Sequence, residues 1–400
     1  MISIEQAVDK LLSLTPSLDQ HEQIPITSAL GRILAENIIS TIDVPPQNNS
    51  AMDGYVIRTS DLENPPWTFP VSSVIPAGAI PHAIPAGSIA RIFTGAEIPE
   101  NCDAVVMQEN CEVDPNSEKV TLLKPVTPGE NIRAKGQDIA KGDTILGKGQ
   151  QLSPQDIGLL ASIGVTHVHV AQKVRVAIIT TGDELISATD SHLLPPGKIF
   201  NSNLPMLQAL LEKANCEVIS ALHIPDNLQQ TTHTLTECSH TADLIISCGG
   251  VSVGEKDFVK DALEQVGELD FWKVKLKPGK PIAIGKINQA RFLGLPGNPV
   301  SSFVTFILFA LPVIKKLQGR PYKAPRYFTL PCNFSLSSPR TRPEFIRVQM
   351  TENGIEQFPN QSSGVLRSLS WADALAFIPE ETRLSPGEPI KTYPLSLFFE

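Results

Sequence analysis

The sequence predicts a multidomain protein of α/β and β parts, with one doubly wound α/β domain in its second half. Three observations carry this expectation. Between Arg175 and Gln318, short apolar runs alternate with segments of helical length and period. The flanks read instead as short apolar pieces broken by Pro and Gly. At 400 residues, the chain also exceeds what one hydrophobic core ordinarily organises.

Taken in order, Ser3 and Gln6 form a capping-box pattern ahead of an amphipathic helix that runs to Leu14. Residues 56–135 lack helical periodicity, and the string PAGAIPHAIPAG at 76–87 marks a small β-rich module. Ser153, Pro154 and Asp156 start another helix, which ends near Ser162. The expected division is therefore a split helical domain of residues 1–43 plus 140–172, interrupted by a β-rich module at 44–139. The alternating region predicts strands at 174–180, 218–223 and 244–248 with helices at 203–214, 228–238 and 256–266. Further strands at 271–276, 281–285 and 292–295 precede a helix at 299–317, with Pro299 at its first position and Gly319 beyond its end. These make an α/β domain at 173–322. Strand patterns at 327–331, 344–350 and 376–378 then predict a C-terminal β domain at 323–400.

Composition narrows the function. Net charge is −9 and no Lys/Arg run is long enough to track a nucleic-acid backbone, which argues against a nucleic-acid partner. The six cysteines include no Cys-x-x-Cys pair and read as reduced thiols of an intracellular protein. No basic segment followed by an apolar core opens the chain, and the apolar stretch 303–314 is shorter than the roughly 20 residues of a spanning helix. A soluble cytoplasmic protein with no membrane partner is expected.

The string LIISCGGVSVGEKD at 244–257 is the most informative. A buried strand ends in paired glycines and then opens a helix, the order that builds an anion site. Gly249 and Gly250 permit close backbone approach, with Ser252 and Gly254 in the same loop. TTGDEL at 180–185 places Asp183 and Glu184 at the carboxyl end of the first strand, where open α/β sheets bind ligands. Taken alone it reads more readily as a solvated turn capped by Asp183, and its pairing with the glycine loop is what favours a site. Asp257 either complements a helix dipole or, with Glu184, holds Mg²⁺, a hard cation that takes carboxylate and phosphate oxygens. Lys277 and Lys280 flank a Pro-Gly turn and would focus positive charge. Pro296, Gly297, Asn298 and Pro299 form a second helix-start niche, so a ligand with more than one anionic group is expected. His167 and His169 share a strand face without a third metal ligand and read as surface histidines. No Gly-x-Ser-x-Gly elbow, His-Glu-x-x-His helix, Walker loop or Gly-x-Gly-x-x-Gly fingerprint is present.

Together, NSAMDGY (49–55), RIFTGAEIPE (91–100), AVVMQE (104–109), TGDEL, GGVSVGEKDF, KPGKP and LPGNPVS resemble, in this order, the molybdopterin molybdenumtransferases, the family that includes the gephyrin E domain. The resemblance implies an elongated homodimer with a molybdopterin-binding α/β domain. It also implies that adenylylated molybdopterin and molybdate are substrates and that AMP leaves in a Mg²⁺-dependent step. By position, Asp53, Asp138, Glu184 and Asp257 match catalytic residues, and Asp226 joins Glu184 and Asp257 around the metal. Thr94, Lys277, Lys280, Pro296 and Pro299 match substrate-binding positions. The family's picture puts the catalytic cleft against the inserted module of the partner subunit, with transient contacts to the adenylyltransferase and acceptor molybdoenzymes. Two departures stand out: Asn48 and Asn227 occupy places that are often acidic in relatives. Ser363 and Ser368 are further candidates for the cleft wall. The alternative reading is a non-catalytic pterin-binding scaffold or carrier on the same fold.

Overall fold

The computed structural model describes residues 1–189, 193–250, 258–279 and 281–399. The chain divides into two compact units, one of residues 1–22, 31–35 and 169–400, the other of residues 23–30 and 36–168.

The first unit is built on a six-stranded sheet. Its spatial order is Glu217–Ile224, Arg175–Thr181, Leu244–Cys248, Ala290–Leu295, Pro281–Ile287 and Glu268–Lys273. The first four strands are parallel, and both faces of the inner ones are buried. Val176 and Ile178 pack into one core with Leu207, Leu211 and Phe306, while Ala177 and Ile179 pack into another with Leu235, Val259 and Leu263. Burial on both faces explains why these strands read as unbroken apolar runs. The helices Asn203–Lys213 and Pro299–Leu317 lie on one side, and Leu228–Ser239 and Phe258–Val266 on the other, so the sheet is doubly wound.

The N-terminal helix Ile4–Leu14 has the expected box: Gln6 N donates to Ser3 Oγ at 3.1 Å, and Ser3 N donates to Gln6 Oε1 at 3.0 Å. Its Ala7, Val8 and Leu11 join the first core. Two details lie beyond what the sequence reading specified. Strands Pro281–Ile287 and Ala290–Leu295 are antiparallel, because two residues, one of them Asn288 at φ 51°, close a hairpin that leaves no length for a crossover. The long helix also widens to a π turn at Phe306–Ala310. That turn ends two residues before Pro312, which has no N–H to continue the α ladder. The helix Pro299–Leu317 is long and apolar enough to cross a membrane, but 83% of its apolar window is buried inside the protein, as befits a core helix.

A five-stranded antiparallel sheet closes this unit, ordered Phe328–Pro331, Pro389–Pro394, Ala374–Ile378, Glu344–Thr351 and Gly354–Gln357. The second unit holds a six-stranded mixed sheet, ordered Ala104–Met107, Gly54–Ile57, Ile89–Ile92, Trp67–Ile75, Lys119–Leu122 and Cys111–Val113. Tyr55 and Ile57 face one core and Val56 the other, so this sheet too is covered on both sides. The fold is multidomain, of α/β and β parts.

Candidate active site

The carboxyl ends of the parallel strands open into a cleft of about 1600 Å³. Glu184, Asp226, Gly249, Gly250, Lys277, Pro296, Gly297, Asn298 and Pro299 all line it, so the structure gathers these sequence candidates at one place.

The glycines are required by contact. Gly249 has φ +95°, and a Cβ there would meet Thr181 O at 2.9 Å and Thr181 Oγ1 at 3.0 Å. Gly250 has φ +64°, and its Cβ would meet Val259 Cγ2 at 2.5 Å and Thr181 Oγ1 at 3.1 Å. The loop is thereby pressed onto the end of the strand that carries TGDEL. Both anion niches are narrower than the sequence implies. Gly249 N–H is spent on Leu295 O at 3.1 Å, while Pro299 has no N–H and Val300 N–H donates to Ser363 O at 3.0 Å. Ser252, Gly254, Asp257 and Lys280 lie outside the described residues, as does the start of the helix after the glycine loop.

The two carboxylates of TGDEL separate. Asp183 Oδ1 accepts Asp226 N–H at 3.1 Å, and Asp183 N–H donates to Asp226 Oδ2 at 3.4 Å, so Asp183 locks two loops together. Glu184 and Asp226 line the cleft. Asn201 Nδ2 donates to Thr180 Oγ1 at 2.8 Å, and Asn203 Nδ2 to Gly297 O at 2.6 Å, which ties the start of the helix Asn203–Lys213 to both loops.

A further part of the cleft lining comes from the C-terminal sheet and the segments beside it. Lys277 N donates to Pro343 O at 2.9 Å, and Phe345 N donates to Lys277 O at 2.8 Å, a parallel bridge centred on Lys277 and Glu344. The Glu344 carboxylate is 3.0 Å from Lys277 Nζ and 2.8 Å from Arg340 Nε. Arg342 lines the same wall, its Nη1 donating to Leu276 O at 3.3 Å. Ser363 lines the cleft beside Gln361 and Ser362. Ser368 does not: it is fully buried, accepting Arg347 Nε–H at 3.0 Å. Arg347, also fully buried, donates through Nη2 to Ser362 O at 3.1 Å, and Gln361 pairs with the Arg347 backbone through Oε1 and Nε2 at 2.9 Å each. Desolvation pushes the Arg347 guanidinium down to about 10. Sequence reasoning missed Arg340, Arg342, Glu344 and Arg347. The available signal was PRTRPE at 339–344, two arginines between prolines just before a strand.

In the second unit the backbone brings two motif strings, NSAMDGY and RIFTGAEIPE, together with segments near Asp138. Asn49 and Ser50 pair with Arg133 and Ile132, Asn49 bridges Glu97, and Asp138 N donates to Val44 O at 3.0 Å. Asp53 Oδ1 accepts Thr94 N–H at 2.8 Å and Thr94 O–H at 2.9 Å. Those bonds, the backbone one foremost, hold the Asp53 carboxyl below the usual carboxylate range. The two departures have structural work: Asn48 Oδ1 accepts Lys135 N–H at 2.8 Å, and Asn227 Oδ1 caps the helix Leu228–Ser239 by accepting Gln230 N–H at 3.0 Å. His167 and His169 lie on the exposed face of their strand.

The doubly wound sheet, with a cleft at its strand ends lined by Lys277, Arg340 and Arg342, defines a multidomain α/β protein whose cleft suits an anionic ligand. Residues 2–164 match the MoeA N-terminal region (domain I and II), residues 177–316 the probable molybdopterin binding domain, and residues 329–395 the MoeA C-terminal region (domain IV). The chain is 39% identical over 366 residues to the molybdopterin molybdenumtransferase of Haemophilus influenzae, covering 91% of this chain and 90% of that one. It is 34% identical over 388 residues to molybdopterin molybdenumtransferase 2 of Mycobacterium tuberculosis, covering 93% and 95%. The crystal structure of the molybdopterin biosynthesis MoeA protein from Pyrococcus horikoshii OT3 superposes with a TM-score of 0.86 at 30% identity, covering 98% of this chain and 100% of that one. This chain belongs to the molybdopterin molybdenumtransferase family.

Proposed function

We propose that this protein inserts molybdenum from molybdate into adenylylated molybdopterin and releases AMP. The observation that carries the proposal is the composition of the cleft: the carboxylates of Glu184 and Asp226, the cations Lys277, Arg340 and Arg342, and a close-packed glycine loop all line it.

The chemistry balances as two parts. Two Mo–S bonds form as one molybdate oxygen departs as water with the two thiol protons. One water then cleaves the phosphoanhydride, leaving AMP and the pterin phosphate. The cationic wall holds the oxyanion and phosphate charges. Glu184 and Asp226 fit Mg²⁺, since both are carboxylates lining the same cleft and hard cations take oxygen ligands; Asp257 is the further ligand proposed. When bound, Mg²⁺ supplies charge neutralisation at the phosphoanhydride. Asp53, kept ionised by Thr94, is a weak base, so its role is to orient water; Asp138 is the proton acceptor. The proposal includes the four-part domain division, a cytoplasmic homodimer, and transient contacts with the adenylyltransferase and acceptor molybdoenzymes.

The test is AMP release from adenylylated molybdopterin by the purified protein with Mg²⁺, with and without molybdate, alongside reconstitution of an apo-molybdoenzyme. Molybdate-dependent release with an active product is expected. Pterin binding without release or reconstitution would show a carrier instead.

A further inference from the structure

The Glu344 side chain is 1% exposed, yet it meets two cations at the cleft wall. Its partners are more open: the Lys277 side chain is 48% exposed and that of Arg340 27%. An ionised carboxylate taken out of water is costly unless opposite charge compensates it, so this group would not be placed here for its own stability. Among the described residues, neither Glu344 oxygen has a partner in hydrogen-bond geometry, and the hold on both cations is therefore ionic. The backbone supplies a second constraint, because the two main-chain bonds of the Lys277–Glu344 bridge fix the relative register of the turn and the strand. Gly279, at φ +109°, presses the same turn onto the helix behind it: a Cβ there would meet Thr305 Cγ2 at 2.5 Å.

A lysine on a four-carbon stem loses much rotamer freedom when it engages a ligand. A buried carboxylate that anchors its ammonium on one side removes part of that loss in advance, and leaves other N–H groups of the same ammonium for the cleft. The same argument applies to Arg340, approached through Nε rather than through the far end of the guanidinium. Two cations meet one carboxylate and Arg342 lines the same cleft, so this lining stays positive in a chain of net charge −9.

We infer that Glu344 is a positioning residue: from the C-terminal sheet it holds Lys277 and Arg340 in place for the oxyanion substrate in the cleft. This rests on the proposed function for the identity of that oxyanion. Glu344 lines the cleft with a side chain only 1% exposed, so it acts on the substrate through the two cations, and the C-terminal domain contributes to binding through it.

The test is a double-mutant cycle on the full-length protein. Molybdate, inorganic phosphate and AMP are titrated calorimetrically into wild type, Glu344→Gln, Lys277→Met and the double variant, with folding checked by circular dichroism. Glu344→Gln is expected to weaken oxyanion binding roughly tenfold and to raise KM for molybdate more than it lowers kcat, and this effect is expected to vanish in the Lys277→Met background. Glu344→Asp, which keeps the charge on a shorter stem, is expected to fall between wild type and Glu344→Gln, and carries the test if the glutamine variant does not fold. Unchanged or tighter binding in Glu344→Gln would make the carboxylate a competitor of the ligand and overturn the inference. Equal losses with and without Lys277 would make it a general structural residue and overturn it as well. A wild type that binds phosphate but not molybdate would overturn the molybdate reading alone, since the phosphate cycle still decides the role of Glu344. Absence of all oxyanion binding would remove both.

Discussion

Asp53 and Thr94 are joined twice through a single carboxylate oxygen: Oδ1 accepts the Thr94 backbone N–H at 2.8 Å and the Thr94 hydroxyl at 2.9 Å. The pairing keeps Asp53 charged at a lower pH than an ordinary aspartate. Thr94→Val removes the hydroxyl bond and keeps the backbone one. The Asp53 carboxyl should then titrate higher, by NMR, while kcat falls by roughly tenfold with little change in thermal stability, since the group is exposed. An unaltered kcat would remove Asp53 from the reaction.

The glycine loop gives a sharper steric prediction. Alanine at Gly250 must adopt a left-handed conformation and also displace Val259, a 1% exposed core residue. The conformational cost alone is about 1–2 kcal/mol. Gly250→Ala should lower the urea midpoint accordingly and weaken binding of adenylylated molybdopterin, whereas Gly297→Ala, whose Cβ would meet Gly249 Cα at an ordinary 3.6 Å, should be tolerated in stability. Equal stability of the two variants would contradict the contact argument.

These contacts show what could be read from the chain and what could not. The order of strands and helices around the cleft was legible because inner strands buried on both faces leave unbroken apolar runs, and because Ser3, Pro299 and Gly319 mark helix ends chemically. Gly249 and Gly250 were legible for a related reason, since only glycine fits there. The partners of the loop amides were not. Nothing in the local sequence says that Val300 N–H will be taken by Ser363 O, or that Lys277 will pair with Glu344, because these bonds join segments distant in the chain. The same distance hid Arg347, which lies within the strand expected at 344–350 and proved to be the buried support of the Gln361–Ser362 wall.

Arg347 therefore has its own consequence. Arg347→Met leaves Ser368 Oγ without its donor in a buried place, at a cost of about 1–3 kcal/mol, and removes one of the two donors to Ser362 O, which keeps Val365 N–H. Chemical denaturation should show that loss, and KM for the pterin substrate should rise as the Gln361–Ser362 wall loosens. A stable variant with an unchanged KM would show that the wall holds without it.

Alkaline pH should destabilise the fold through its buried thiols. Burial pushes Cys102 and Cys216 up to about 12 and Cys248 up to about 11, from an ordinary 9.0. A raised folded value means that, above pH 9, the native state holds protons the unfolded state has released. Stability is thus intact below about pH 9 and falls as pH climbs from there toward 11, by at most about 1.4 kcal/mol per pH unit for each thiol. Urea unfolding at pH 8, 9 and 10 checks the slope, and Cys248→Ser, which lacks the titration, should flatten it.

Asn227 offers a gain-of-function test of the metal side of the cleft. Its side chain caps the helix Leu228–Ser239 by accepting Gln230 N–H at 3.0 Å, while its neighbour Asp226 lines the cleft. Aspartate caps a helix about as well as asparagine and adds a negative charge at the positive end of the helix dipole. Asn227→Asp should therefore retain or slightly raise stability, whereas Asn227→Ala should lose about 1 kcal/mol. The added charge beside Asp226 should also lower the Mg²⁺ concentration needed for half-maximal AMP release, because each further carboxylate near a hard cation strengthens its site. If the aspartate variant matches wild type in Mg²⁺ dependence while Asp226→Asn does too, the metal is held elsewhere and the assignment of Asp226 falls. A loss for Asp226→Asn with a gain for Asn227→Asp would place the cation at this loop.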